Sequence, residues 1–411
     1  MRSIYNIALY LVKFSLSILA IFNTKLKLFV QGRKTTYAQL DALSKDKPRL
    51  WFHCASLGEF EQGRPIMEAC KKNMPHYQIV LSFFSPSGYE IRKDYTGADV
   101  VVYLPLDTPY HAKTFIDTVK PSMAIFIKYE FWPNYLAELN KRSIKTILVS
   151  GIFRPSQAFF KSYGKWMRTS LKTFDHFFVQ NQASKDLLET IGITRATLSG
   201  DTRFDRVFAI TQDDIALDEI ALFKGSHKVL VAGSTWPKDE DLLIDYINNS
   251  KNPNQKYIIA PHNIKADDIM QLASRLVKKV GLFSNKSLDL NHCEVLIIDS
   301  IGLLSKLYKY ADIAYVGGGF GTGIHNVLEP ATFGLPICIG PAYTKFNEAV
   351  ELVHLGACLV IHKATDLQKN LDQLFTEPNF REQKGKIASN YVKANLGATK
   401  ITMRYLTEEL S

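Results

Sequence analysis

The chain has 411 residues, of which 46% are hydrophobic and 22% charged, and a formal net charge of +10. Its length points to two domains of roughly 150–200 residues, and its composition is that of a globular protein able to form large cores. The basic excess suits anionic partners, but no compact block of Lys and Arg and no zinc-knuckle or RRM-type signature is present, which argues against nucleic acid.

The N-terminus departs from this average. "IYNIALYLVKFSLSILAIF" (Ile4 to Phe22) is broken only by Lys13 and is followed by Lys25, Lys27, Arg33 and Lys34. A helix of that length, at 1.5 Å per residue, nearly crosses a hydrocarbon core of about 30 Å. It carries no small-residue cleavage site. Residues 1–34 are therefore expected to anchor the protein to a membrane, spanning it or lying on it with Lys13 snorkelling. The basic cluster keeps the body on the cytoplasmic side.

From about residue 48 the pattern becomes strand, turn, helix. "RLWFHCAS", "YQIVLSFFS", "DVVVYLPLD", "PSMAIFIKYEFWP", "KTILVSGIF" and "HFFVQN" form one series. A second begins at "KVLVAGST" and runs through "QKYIIAPH", "EVLIIDS", "ADIAYVGG" and "LPICIGP". Buried strands separated by helices imply parallel sheets covered on both faces. The charged stretch between the series carries no strand pattern and places a boundary near residues 206–226. The expected division is 1–34 as anchor, 35–210 as an N-terminal Rossmann-like domain, 211–226 as linker and 227–411 as a C-terminal Rossmann-like domain. Ligands of such sheets bind beyond the carboxyl ends of the strands, and with two of them a cleft between is the expected site.

The residues that follow the strands are the candidates. After the first comes "SLGEFEQGRP", where Glu59 sits at a strand-to-helix turn close to helix N-terminal amides, a setting for a general base or simply a complement to the helix dipole. Glu130, in "KYEFWPNYL", is a charge among aromatics, which calls for a partner or a function. Arg203, in "LSGDTRFDR", is able to bind phosphate or carboxylate. In the second series Gly233 to Thr235, Pro261 with His262, and Ser300, Ile301 and Gly302 all stand at strand ends. The five cysteines (Cys54, Cys70, Cys293, Cys338, Cys358) form no CxxC pair, so neither a disulfide framework nor a zinc site is expected. No acidic pair of the DxD kind stands at a clear strand end, and no metal is expected.

The strongest stretch is "YVGGGFGTGIHNVLEPATFGLPICIGP", from Tyr315 to Pro341. Its glycines do not complete GxGxxG, because position 324 is Ile, and they follow a late strand rather than the first. In "HNVLEP", Asn326 and Glu329 lie on one face of a first helical turn. A carboxylate there suits a ribose diol, and the helix start with its glycine amides suits a phosphate. That describes a nucleotide site, though not that of a dehydrogenase.

Together, "SLGEFEQGRPIM", "LSFFSPSGYE", "YLPLDTP", "EFWPNYL", "GDTRFD", "AGSTWPKDED", "APHN" and "GGGFGTGIHNVLEPATFGLPICIGP" resemble the 3-deoxy-D-manno-octulosonic acid (Kdo) transferases of Gram-negative bacteria. The resemblance covers nearly the whole chain. It implies an α/β protein of GT-B architecture, two doubly wound Rossmann-like domains facing a cleft, anchored at the cytoplasmic face of the inner membrane by an N-terminal helix. It implies a metal-independent inverting transfer of Kdo from CMP-Kdo onto a lipid A precursor, lipid IVA, in lipopolysaccharide core biosynthesis, with no further cofactor. On this resemblance Glu59 is the general base, and Glu130 and Arg203 stabilise the transition state. Pro261, His262, Ser300, Ile301, Gly302, Asn326, Val327, Leu328 and Glu329 hold CMP. The family more often has Lys where Arg203 stands and Arg where His262 stands; Arg203 keeps the charge, whereas His262 is mostly neutral at pH 7. The aromatic and basic segment "GIFRPSQAFFKSYGKWMR" is expected to face membrane or lipid phosphates, or else to be an ordinary surface helix. Two other readings stand beside this one: a GT-B transferase or epimerase acting on a UDP-sugar, and a non-catalytic membrane-attached protein that binds nucleotide or lipid.

Overall fold

A computed structural model describes residues 2–212, 216–285, 289–321 and 323–410. Thr322 of the glycine stretch and residues 213–215 of the expected linker lie outside them. The chain divides into two compact units, 1–206 with 396–411, and 207–395.

The first unit is built on a seven-stranded sheet: β1 (Arg49–Cys54), β2 (Gln78–Phe83), β3 (Val100–Tyr103), β4 (Met123–Ile127), β5 (Lys145–Gly151), β6 (His176–Val179) and β7 (Ala196–Leu198), in the order β3-β2-β1-β4-β5-β6-β7. The second carries β8 (Lys228–Thr235), β9 (Gln255–Pro261), β10 (Val280–Leu282), β11 (Val295–Ile297), β12 (Ile313–Val316), β13 (Ile337–Ile339) and β14 (Cys358–Val360), in the order β10-β11-β9-β8-β12-β13-β14. Every pairing is parallel. The strands read as unbroken apolar runs because helices cover both faces: β1 and β4 are buried at every residue and feed separate cores on either side of the sheet. In each sheet the chain crosses once to the other side of its first strand, between β1 and β4 and between β8 and β12, and ligands of doubly wound sheets bind at such switch points. All five cysteines are free and buried.

The structure draws the domain limits differently from the expected ones at both ends. The expected C-terminal domain ran from 227 to 411, but residues 396–411 group with the first unit. Met403 and Leu406 of the last helix, Ala398–Leu410, join the core beneath helix Leu57–Asn73. The Asp205 carboxylate accepts the amides of Gly397 (2.7 Å) and Thr399 (2.6 Å) at its start. Within the expected linker, Asp218–Lys224 is helical and buries Ile220 and Phe223.

The N-terminal segment forms helix Arg2–Leu19, a turn, and a second helix, Thr24–Gly32, capped by the Asn23 side chain. Among the described residues no helix is long and apolar enough to cross a membrane. Arg33 is bound into the first unit, donating to the carbonyls of Leu104 (2.9 Å) and Phe84 (2.6 Å), so the expected anchor limit at residue 34 cuts through packed structure. The aromatic and basic segment is partly core. Phe159 is buried, and Phe131 and Phe153 pack against Phe159 and Phe160, while Tyr163 stays exposed.

Candidate active site

On the first unit Glu59 and Glu130 follow the two strands of the switch point, β1 and β4, while Arg203 follows the edge strand β7. Ser56 begins helix Leu57–Asn73 with a capping box whose carboxylate is Glu59. Glu59 Oε2 accepts the amides of Ala55 (2.5 Å) and Ser56 (3.2 Å). The side chain is therefore turned back over the end of β1, and the residue is only 7% exposed. Burial first, and then the charge of Glu130, push its carboxyl up to about 7, against the pull of the two amides and Lys128. A carboxyl that ionises near neutrality suits a general base.

Glu130 follows β4. Its Oε2 accepts the indole N–H of Trp132 at 2.7 Å and lies 3.4 Å from His53 Nε2. The expectation that this charge among aromatics has a partner is met by the Trp132 indole, with His53 of β1 nearby. Arg203 forks onto the buried Asp201, with Nε and Nη2 at 2.9 and 2.8 Å from Oδ2. Asp201 Oδ1 also accepts the Gln62 amide at 3.1 Å, and Thr202 donates to the Gln62 carbonyl at 2.5 Å. Arg203 is thus tied through Asp201 to the helix that carries Glu59. The neighbouring Glu61 instead pairs with Arg92 and Arg206.

On the second unit the ends of β8, β9 and β12 are locked together. The buried carboxylate of Asp239 accepts the Tyr315 hydroxyl (2.8 Å) and the amides of Gly318 (2.8 Å) and Trp236 (2.9 Å). Two glycines of the stretch serve close backbone approach. A Cβ on Gly317 would meet Ser234 O at 2.4 Å, and one on Gly319 would meet Gly340 Cα at 2.5 Å. Trp236 stacks on His262 with centroids 4.4 Å apart, and His262 lies 4.8 Å from His325. Burial and then His262 lower the His325 pKa from its ordinary value. The structure thus brings Pro261 and His262 up against Trp236 and the glycine stretch.

The remaining residues divide. Asn326 Oδ1 accepts the Leu328 amide at 3.0 Å and its Nδ2 donates to Glu329 at 3.1 Å, the juxtaposition expected from their spacing. Val327 and Leu328 are buried, which leaves only their backbone for a ligand. Ile301 is 87% exposed, and the buried Ser300 Oγ has no hydrogen-bond partner among the described residues. The turn 300–302 leads into helix Leu304–Leu307, and Leu304 and Tyr308 pack under Gly233 at the end of β8. Among the described residues no group of three or more His, Cys, Asp or Glu is arranged to hold a metal ion.

Residues 30–206 match the family model described as 3-deoxy-D-manno-octulosonic-acid transferase (kdotransferase). The chain is 29% identical over 358 residues to the 3-deoxy-D-manno-octulosonic acid transferase of Aquifex aeolicus, covering 84% of this chain and 93% of that one. It is 26% identical over 396 residues to a bifunctional glycosyltransferase/methyltransferase of Fusobacterium nucleatum, covering 90% of this chain but 60% of that relative's length. Among solved structures it resembles the UDP-GlcNAc 2-epimerase of Neisseria meningitidis, with TM-score 0.62, 14% identity and coverage of 88% of this chain and all (100%) of that one. That likeness establishes the GT-B-like fold.

Proposed function

From the match of residues 30–206 to the Kdo transferase model and the likeness of most of the chain to such transferases, we propose that it moves Kdo from CMP-Kdo onto a lipid A precursor, lipid IVA, with inversion at the anomeric carbon. The acceptor hydroxyl oxygen attacks that carbon while Glu59 takes its proton. The bond from the anomeric carbon to the CMP phosphate breaks, and its electron pair leaves with CMP. Glu130 and Arg203 stabilise the charge that develops, and the second unit holds the nucleotide through Pro261, His262, Ser300 to Gly302 and Asn326 to Glu329. By the same resemblance no metal and no further cofactor take part. Anionic charge on the leaving group is then met by backbone amides and cations.

The protein works at the cytoplasmic face of the inner membrane in this reading. The support is helix Arg2–Leu19, which exposes Ile4, Ile7, Leu11, Phe14 and Ile18. Its polar residues dock instead: Arg2 donates to Asn134 (3.1 Å) and Tyr5 to Asp107 (2.8 Å). An apolar face on a helix held to the body by its other side suits an interfacial anchor.

The observation that carries the catalytic reading is the buried Glu59 carboxyl at the β1 switch point, raised to about 7. Glu59→Gln keeps an acceptor for the two amides but cannot take a proton. It is expected to bind CMP-Kdo in calorimetric titration as the wild type does, while transfer falls by about 10²–10⁴-fold. In the wild type kcat/KM should rise with pH through about 7, since only the ionised form is a base. Near-normal turnover by the variant removes Glu59 from the mechanism.

A further inference from the structure

The stretch "YLPLDTP" supplies none of the groups placed in the site, yet its Asp107 is buried, as is Asn134. Asp107 lies beyond the end of β3 and serves helix Pro133–Lys141, which has no side-chain cap of its own at Trp132. The first amides of a helix find no partner within it. Here Asp107 Oδ2 accepts the Asn134 amide at 3.1 Å, and Oδ1 accepts the Tyr135 amide at 2.9 Å. A carboxylate at that end also meets the positive pole of the helix.

The same carboxylate holds helix Arg2–Leu19, through the Tyr5 hydroxyl, which donates to Asp107 Oδ2 at 2.8 Å. Asn134 makes a second link. Its Oδ1 accepts Arg2 Nε and Nη2 at 3.2 and 3.1 Å, and its Nδ2 donates to Asn6 Oδ1 at 2.8 Å and to the Asp107 carbonyl. Burial pushes the Asp107 carboxyl up to about 6, while the two amides, Tyr5 and Arg2 hold it down, so it is mostly ionised at pH 7. Burial and then Asp107 raise the Tyr5 hydroxyl above its ordinary range, so it remains a donor. The helix start fixed in this way follows directly on the site. Trp132 precedes Pro133, and its one indole N–H faces Glu130 Oε2 at 2.7 Å and His53 Nε2 at 3.1 Å.

We propose that Tyr5 and Asp107 are positioning residues for the transfer reaction: docking of helix Arg2–Leu19 on Asp107 and Asn134 sets the start of helix Pro133–Lys141, and with it the Trp132 indole that holds Glu130. The N-terminal helix is then part of the assembly of the site as well as an anchor. This rests on the reading of the chain as a Kdo transferase in which Glu130 stabilises the transition state. Tyr5 and Asp107 act through Trp132 and are given no contact with the reacting groups.

The test is a double-mutant cycle in the full-length protein between Tyr5→Phe, which removes one hydroxyl and keeps the apolar face of its helix, and Trp132→Phe, which keeps a ring and removes the N–H. kcat and KM for CMP-Kdo are measured with a detergent-dispersed tetra-acylated lipid A precursor. Vesicle flotation and amide exchange read by mass spectrometry accompany them. Tyr5→Phe should lower kcat about 3- to 10-fold, the size of one lost hydrogen bond to a charged group. KM for CMP-Kdo and flotation should stay as in the wild type, and exchange at the Asn134 and Tyr135 amides should speed up. In the Trp132→Phe background the loss from Tyr5→Phe should vanish. Asp107→Asn should lower kcat further than Tyr5→Phe; should it fail to fold, the Tyr5 cycle alone decides. Wild-type kcat in Tyr5→Phe, losses that multiply in the double variant, or unchanged exchange at the two amides would each end the positioning role while the parent reading stands. Absence of any transfer by the wild-type chain overturns both.

Discussion

In the proposed mechanism Glu59 is placed under two opposed demands. A general base for a sugar hydroxyl must ionise near the working pH, and burial at the end of β1 achieves this by making ionisation costly. That cost also falls on stability. A carboxyl raised from its ordinary 4.5 to about 7 destabilises the folded chain as it ionises. The penalty is absent below about pH 4.5, grows through that window and is full above about 7. Glu59→Gln should therefore raise Tm relative to wild type more at pH 8 than at pH 5. The extra gain should be about 2–4 °C, the shift roughly 1 kcal/mol produces in a domain of 150–250 residues. Equal Tm differences at the two pH values would mean that the carboxylate ionises freely. The position of Glu59 is legible in "SLGEFEQGRP", because a strand followed by Ser, Gly and Glu marks a helix start. His53 is not legible in the same way. It lies inside a buried strand, and its contact with Trp132 spans 79 residues of sequence. Asp239, which holds the glycine stretch, likewise acts 79 residues away from Gly318.

The strands and switch points follow from apolar runs and from what comes after each run, and both were readable. The purpose of the glycines was less so. Gly317 and Gly319 let three strand ends approach closely, and a sequence pattern does not say which backbone will arrive opposite. The N-terminal element shows the same limit. Its apolar length suggests a single continuous helix, yet Asn23 caps a second one, and the Arg33 contacts commit that second helix to the body. Residues 1–22 are therefore the segment to delete in testing membrane attachment, because they leave out the Arg33 contacts. In a flotation assay with vesicles containing anionic lipid, the shortened protein should stay in the soluble fraction while the full chain floats. Full flotation of the shortened form would move the attachment to the segment around the exposed Tyr163.

At the scale of the whole chain, two parallel sheets carry different sets of groups, and the proposed reading gives them different tasks. The first unit holds a carboxylate pair and an Arg–Asp fork, all groups for moving protons and meeting charge. The second holds amides, a stacked Trp236–His262 pair and the Asn326–Glu329 turn, which are groups for holding a nucleotide. The last helix returns to the first unit and backs the helix that bears Glu59, with Cys70 Sγ 3.7 Å from Met403 Sδ. Nothing local in that amphipathic helix names the sheet it will cover, which is why the expected boundary ran to the end of the chain. The central claim concerns the reaction itself. Mass spectrometry of a tetra-acylated lipid A precursor incubated with the full-length protein and CMP-Kdo tests it most directly. The expected result is a mass gain of one or more Kdo residues, absent with Glu59→Gln. An unmodified acceptor, with the same preparation turning over a UDP-sugar, would contradict it.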